Sequence, residues 1–170
     1  MGLMSFIKEA GEKLFGKNDP EKAAAEVATA PDPAAAQAKL DAANAQAAEA
    51  IEKYIGAQGL NVDGLQVAFD GTTCQATVSG CAPDQATKEK VLLCCGNVAG
   101  VTGVNDMLTV TQPADESRYH TVVRGDTLSG IAKAMYGNAN AYMKIFEANK
   151  PMLSHPDKIY PGQMLRIPPL

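Results

Sequence analysis

Residues 84–110 read DQATKEKVLLCCGNVAGVTGVNDMLTV. Asp84 suits a helix N-cap, and Val91, Leu92 and Cys95 give the helix that follows an apolar stripe. Gly96 is placed to end that helix as its C′ residue. Leu108 and Val110 then alternate with polar residues, as in a half-buried strand. Between helix and strand lies GNVAGVTGV, rich in glycine and valine and without a charge. Such a run is a plain connector unless its backbone has work to do.

Upstream, Leu65, Val67 and Phe69 alternate, as do Ala76 and Val78, with Asp70-Gly71 between them. This pattern predicts a β-hairpin with one buried face. A helix is expected over about 33–57, with Asp32 as cap and Pro33 at its first position. Its Ala-rich first half is expected to be exposed. Its second half, with Ile51, Tyr54 and Ile55, is expected to pack. Leu3, Phe6, Ile7, Ala10 and Leu14 line one helical face and predict an N-terminal helix over 1–16, followed over 17–32 by a linker or, across 17–30, a loose helix.

Downstream, PADESR at 113–118 is a polar linker. A strand at 119–123 follows. Leu128, Ile131, Ala132 and Met135 make one helical stripe, opened by Asp126 or Thr127, and Tyr142, Ile145 and Phe146 make another. Tyr160-Pro161-Gly162-Gln163 has the form of a type II turn before a closing strand at 164–167. The fold class is therefore α+β. The order is helix, strand, strand, helix, strand over 33–112, then strand, helix, helix, strand over 119–170.

The chain has 170 residues and a formal net charge of −4, which speaks against nucleic acid and anionic membranes as partners. No stretch reads as a secretory signal or a membrane span, so a cytoplasmic protein is expected, and it is expected to be mostly monomeric. Cys74, Cys81, Cys94 and Cys95 fit no Cys-x-x-Cys spacing and are expected to be reduced, mostly buried thiols. No nucleophile elbow, His-Glu-x-x-His or phosphate loop is present, so no enzyme is expected.

The stretches YHTVVRGDTLSGIAKAMYGNANAYMKIFEANKP and IYPGQMLRIP resemble a LysM domain. The hairpin ending in Val78-Ser79-Gly80, with NVAGVTGVNDMLTV, resembles a BON domain. Together with MGLMSFIKEAGEKLFG and KEKVLLCCGNVAGV, they resemble the small bacterial BON–LysM potassium-binding family over most of the chain. The Ala-rich segment 22–50 and the cysteines depart from it.

Potassium is a hard monovalent ion that suits neutral carbonyl oxygens and needs no acidic loop. Helix ends supply such groups, because their last carbonyls lack partners and the dipole makes that end partly negative. From the residues alone, the favoured reading of GNVAGV is still an ordinary helix end and turn. The resemblance implies more: a potassium ion held by the backbone oxygens of Ile7, Ala10, Gly96, Val98 and Val101, bound selectively and reversibly, with the chain gaining order as it binds. A sensing or stress-related role would follow. The LysM resemblance also implies an alternative, binding of N-acetylglucosamine glycans between Gly125-Asp126-Thr127-Leu128 and the stretch from Asn149 to Ile159.

Overall fold

The computed structural model describes residues 2–8 and 10–170, so positions 1 and 9 of the expected N-terminal helix lie outside it. The elements in chain order are β1 (Leu3–Ser5), α1 (Pro20–Val27), α2 (Pro33–Ala57), β2 (Asp63–Asp70), β3 (Gln75–Asp84), α3 (Gln85–Gly96) and β4 (Gly103–Gln112). Then come β5 (Arg118–Thr121), α4 (Leu128–Tyr136), α5 (Tyr142–Ala148) and β6 (Met164–Ile167). The architecture is α+β.

The first sheet has the order β1-β4-β3-β2. β2 and β3 form the antiparallel hairpin, while β3 and β4 run parallel with α3 as their crossover. α2 and α3 cover one face. Ile51, Ile55, Val91 and Leu92 pack there against Val67, Phe69, Ala76, Val78 and Val104. Each Val, Leu, Ile or Phe side chain among them, when fully buried, contributes about 1.5–3 kcal/mol relative to an exposed one, and Ala76 less. Asp32 caps α2 by accepting from the N–H groups of Ala34 and Ala35, and Asp84 caps α3 by accepting from Thr87. The second unit pairs β5 with β6 antiparallel and packs α4 and α5 on a separate core around Ile131, Ile145, Leu153 and Leu165.

Three expectations are corrected. The N-terminal helix is not formed among the described residues: Leu3–Ser5 is a strand, antiparallel to β4 in the register Leu3–Asn105 to Ser5–Gly103. Apolar spacing favoured a helix, but the open edge of β4 offers backbone partners, and Gly11, at φ 120°, breaks helical geometry. The first half of α2 is not exposed along its whole surface. Ala36, Leu40 and Ala43 are buried, because α1 forms within the segment 17–32 and packs beside α2. Gly96 is not a left-handed C′ residue. It is the last residue of α3, Asn97 follows as C-cap at φ −82°, and the left-handed glycine of this loop is Gly100 at φ 98°.

Candidate functional site

The segment after β1 runs alongside the α3–β4 loop and is bonded to it repeatedly. Phe6 N–H donates to the Thr102 carbonyl (2.8 Å), Gly100 N–H to Lys8 (2.8 Å), Glu12 N–H to Asn97 (2.8 Å) and Ala99 N–H to Glu12 (2.7 Å). Glu12 and Val98 form a parallel bridge. The two segments named from the sequence, Ile7–Ala10 and Gly96–Val101, are therefore brought side by side.

Their closeness depends on missing side chains. A Cβ on Gly96 would lie 2.0 Å from Cζ of Phe6. One on Gly11 would lie 1.9 Å from the Asn97 carbonyl oxygen. Below, Leu14 and Phe15 pack against the core of the first unit, with the Phe15 and Phe69 rings 5.1 Å apart. Val98 and Val101 are fully buried, so their side chains anchor the loop while their backbone stays at the junction.

The carbonyls account for themselves as follows. Those of Ala10, Gly96 and Val101 accept no backbone hydrogen bond among the described residues. The Ile7 carbonyl accepts from Ala10 N–H (3.1 Å) and the Val98 carbonyl from Val101 N–H (3.1 Å), each keeping a second lone pair. The C-terminal end of α3 adds its partial negative charge beside them. Cys94 and Cys95, just before the loop, are free and buried; burial pushes the Cys94 thiol up to about 12, so it stays neutral.

The second unit completes the junction, which sequence reasoning missed. The Asn97 amide lies on β6: its Nδ2 donates to the Met164 carbonyl (2.9 Å) and its Oδ1 accepts from Met164 N–H (3.0 Å). The turn at Gly162, φ 89°, sits against the N-terminal segment, where a Cβ would come within 2.6 Å of Ala10 Cβ. Glu89 of α3 pairs with Arg166 of β6 and accepts from Gln85 Nε2 and Ser117 N–H (2.9 Å each). Burial alone would raise the Glu89 carboxyl, but Arg166, Gln85 and Ser117 together hold it below the ordinary range. A signal existed: an arginine inside the apolar closing strand MLRI needs a partner.

The residues of the alternative glycan groove serve local structure. Gly125 takes a left-handed turn at φ 96°. Asp126 accepts from Val123 N–H (3.0 Å) and pairs with His120 Nε2 (2.8 Å), and Thr127 caps α4. Asn149 is buried, its amide bonded to the backbone of Ile145 and Arg166. Ile159 packs against the second core.

Residues 42–112 match the BON domain family and residues 120–168 the LysM domain family, so the fold is a BON domain followed by a LysM domain. The chain is 44% identical over 172 residues to the potassium binding protein Kbp of Escherichia coli O6:H1, with 99% of each chain covered. It belongs to the same family as that protein. An uncharacterised protein of Deinococcus radiodurans is 43% identical over 82 residues, which cover 42% of this chain and 32% of that one.

Proposed function

We propose that this protein binds potassium selectively and reversibly through the backbone carbonyls of Ile7, Ala10, Gly96, Val98 and Val101. The observation that carries the reading is the pairing of the 6–12 segment with the α3–β4 loop, which leaves the carbonyls of Ala10, Gly96 and Val101 without a bonded partner among the described residues. A backbone cage at a helix C-terminus suits a singly charged ion, whose modest field needs no carboxylate. The relative named for potassium binding, alike over nearly the whole chain, supports the same ion.

The ion joins the N-terminal segment to the α3–β4 loop of the BON domain, so binding orders the molecule and stabilises it by linkage. On this reading the protein is a cytoplasmic, monomeric binding protein with a potassium-sensing, stress-related role, not a catalyst. It works without nucleic acid or membrane partners. Among the described residues no helix is long and apolar enough to cross a membrane.

Calorimetric titration with potassium and with sodium chloride tests the reading, on the full chain and on a chain lacking residues 1–11. Saturable heat for potassium alone, abolished by the deletion, is expected. Equal heats for both ions, or potassium binding that survives the deletion, would overturn the site.

A further inference from the structure

Asn97 stands between two of the proposed ligands and bonds to three separate parts of the molecule. Its N–H donates to Leu93 of α3 (2.9 Å), and its carbonyl accepts from Glu12 of the N-terminal segment (2.8 Å). Its side chain takes both backbone groups of Met164 in the LysM strand (3.0 and 2.9 Å). That amide acts as a one-residue extra strand on the edge of β6 away from β5, beside the Asn149 amide that takes Arg166 in the same way. It ends with no polar group unsatisfied.

The LysM domain thus bears on both halves of the cage while none of the proposed ligands comes from it. It holds the Gly96–Val98 half through Asn97, and it seats the Ile7–Ala10 half against Gly162, whose ideal Cβ position lies 3.4 Å from Ile7 Cβ and 2.6 Å from Ala10 Cβ. A cage of backbone atoms cannot tune its oxygens by changing side chains, so its geometry must be set by what grips the backbone from outside. We infer that Asn97 is a positioning residue for the ion cage: its side-chain amide, clamped on Met164, fixes the Gly96 and Val98 carbonyls and couples ion binding to LysM docking. This inference rests on the potassium reading given above.

The consequence is reciprocal. Whatever free energy the docked LysM strand lends to ion affinity, the ion returns to docking. Two hydrogen bonds of ordinary net strength, if fully made only with the ion bound, correspond to roughly thirtyfold in affinity.

The test compares wild type with Asn97→Ala and Asn97→Gln by potassium calorimetry, by melting with and without potassium, and by following the backbone amide signals of Gly162 and Met164 in a potassium titration. The expected result is about thirtyfold weaker potassium binding in N97A, a smaller potassium-induced rise in melting temperature, and a Met164 signal that no longer follows the ion. N97Q, which keeps the amide on a longer stem, falls between. If N97A does not fold, Asn97→Ser removes the amide and is read the same way. Potassium affinity unchanged in N97A or N97S while wild type binds would overturn the role of Asn97 alone. So would a stability loss that is equal with and without the ion. Wild type that binds no potassium would overturn the site and this inference together.

Discussion

The ring of Phe6 fills the space that a Cβ on residue 96 would need: built there, that atom would lie 2.0 Å from the ring. Gly96 is therefore fixed by the approach of the N-terminal segment and not by its own backbone angles. Gly96→Ala is expected to evict the ring and cost about 1–3 kcal/mol in overpacking. Potassium affinity should fall with it, because the segment carrying Ile7 and Ala10 loses its seat. Urea unfolding and potassium titration of the variant check both; a variant as stable as wild type with unchanged affinity would contradict the packing argument.

Gly162 bears on the same segment from the LysM side. Gly162→Ala is expected to cost about 1–2 kcal/mol from the left-handed backbone alone. It also meets the Ala10 methyl, and that part is separable. Ala10→Gly removes the methyl, so the double variant should recover potassium affinity that G162A loses while keeping the backbone strain. Simple additivity of the two changes in affinity would show that these residues do not touch in solution.

The Glu89–Arg166 pair ties the BON helix to the LysM strand in a buried place, with side-chain exposures of 2% and 10%. Removing one partner strands the other charge. Arg166→Met is expected to destabilise the fold by about 3–5 kcal/mol, measured by urea unfolding at neutral pH. A change below about 1 kcal/mol would place the pair with ordinary surface bridges.

The same pair sets an acid limit. Glu89 titrates below its ordinary value of 4.5 in the folded protein. A carboxylate lowered by folding stabilises the fold at pH above its unfolded value, and that stabilisation is lost as pH falls through the folded one. Wild-type stability should thus decline as pH drops below about 4.5, and the gap between wild type and R166M should narrow over the same range. A gap that stays constant down to acid unfolding would remove Glu89 from the account.

Ion linkage gives a further expectation. At a potassium concentration a hundred times Kd, binding to the native state alone adds about 2.7 kcal/mol. For a chain of this size that is roughly 5–10 °C in melting temperature. Scanning calorimetry in potassium against an equal concentration of sodium measures it, and identical curves would count against selective binding.

Much of the fold was legible because its signals are local. Asp32-Pro33 and Asp84 mark helix starts through bonds made within three residues. Pro161-Gly162 encodes its turn, with Gln163 N–H donating to Tyr160. The N-terminal strand was not legible, since Leu3, Phe6 and Ile7 keep helical spacing. What decides their state is the open edge of β4, about a hundred residues away in sequence. Gly96 shows the same limit: the C′ reading asks for a left-handed angle the residue does not have, while what requires a glycine there is the Phe6 ring, far away in sequence. The Asn97 clamp had no local signal, because an asparagine after a helix reads first as a cap.

The topology carries a consequence for how the chain is made. The junction gathers Ile7, Val98 and Met164, which leave the ribosome in that order and far apart in time. Ile7 and Ala10 must wait, unpartnered, until the α3–β4 loop emerges, and that loop must wait again for β6. Until β4 has emerged β1 has no strand to pair with, and once it has, β1 can close that edge of the BON sheet before β6 is made. The ligands of the proposed cage are thus in place once the α3–β4 loop has emerged, but the LysM grip on it comes last, so an ion held in the finished junction would mark a polypeptide whose two domains have both been built and joined.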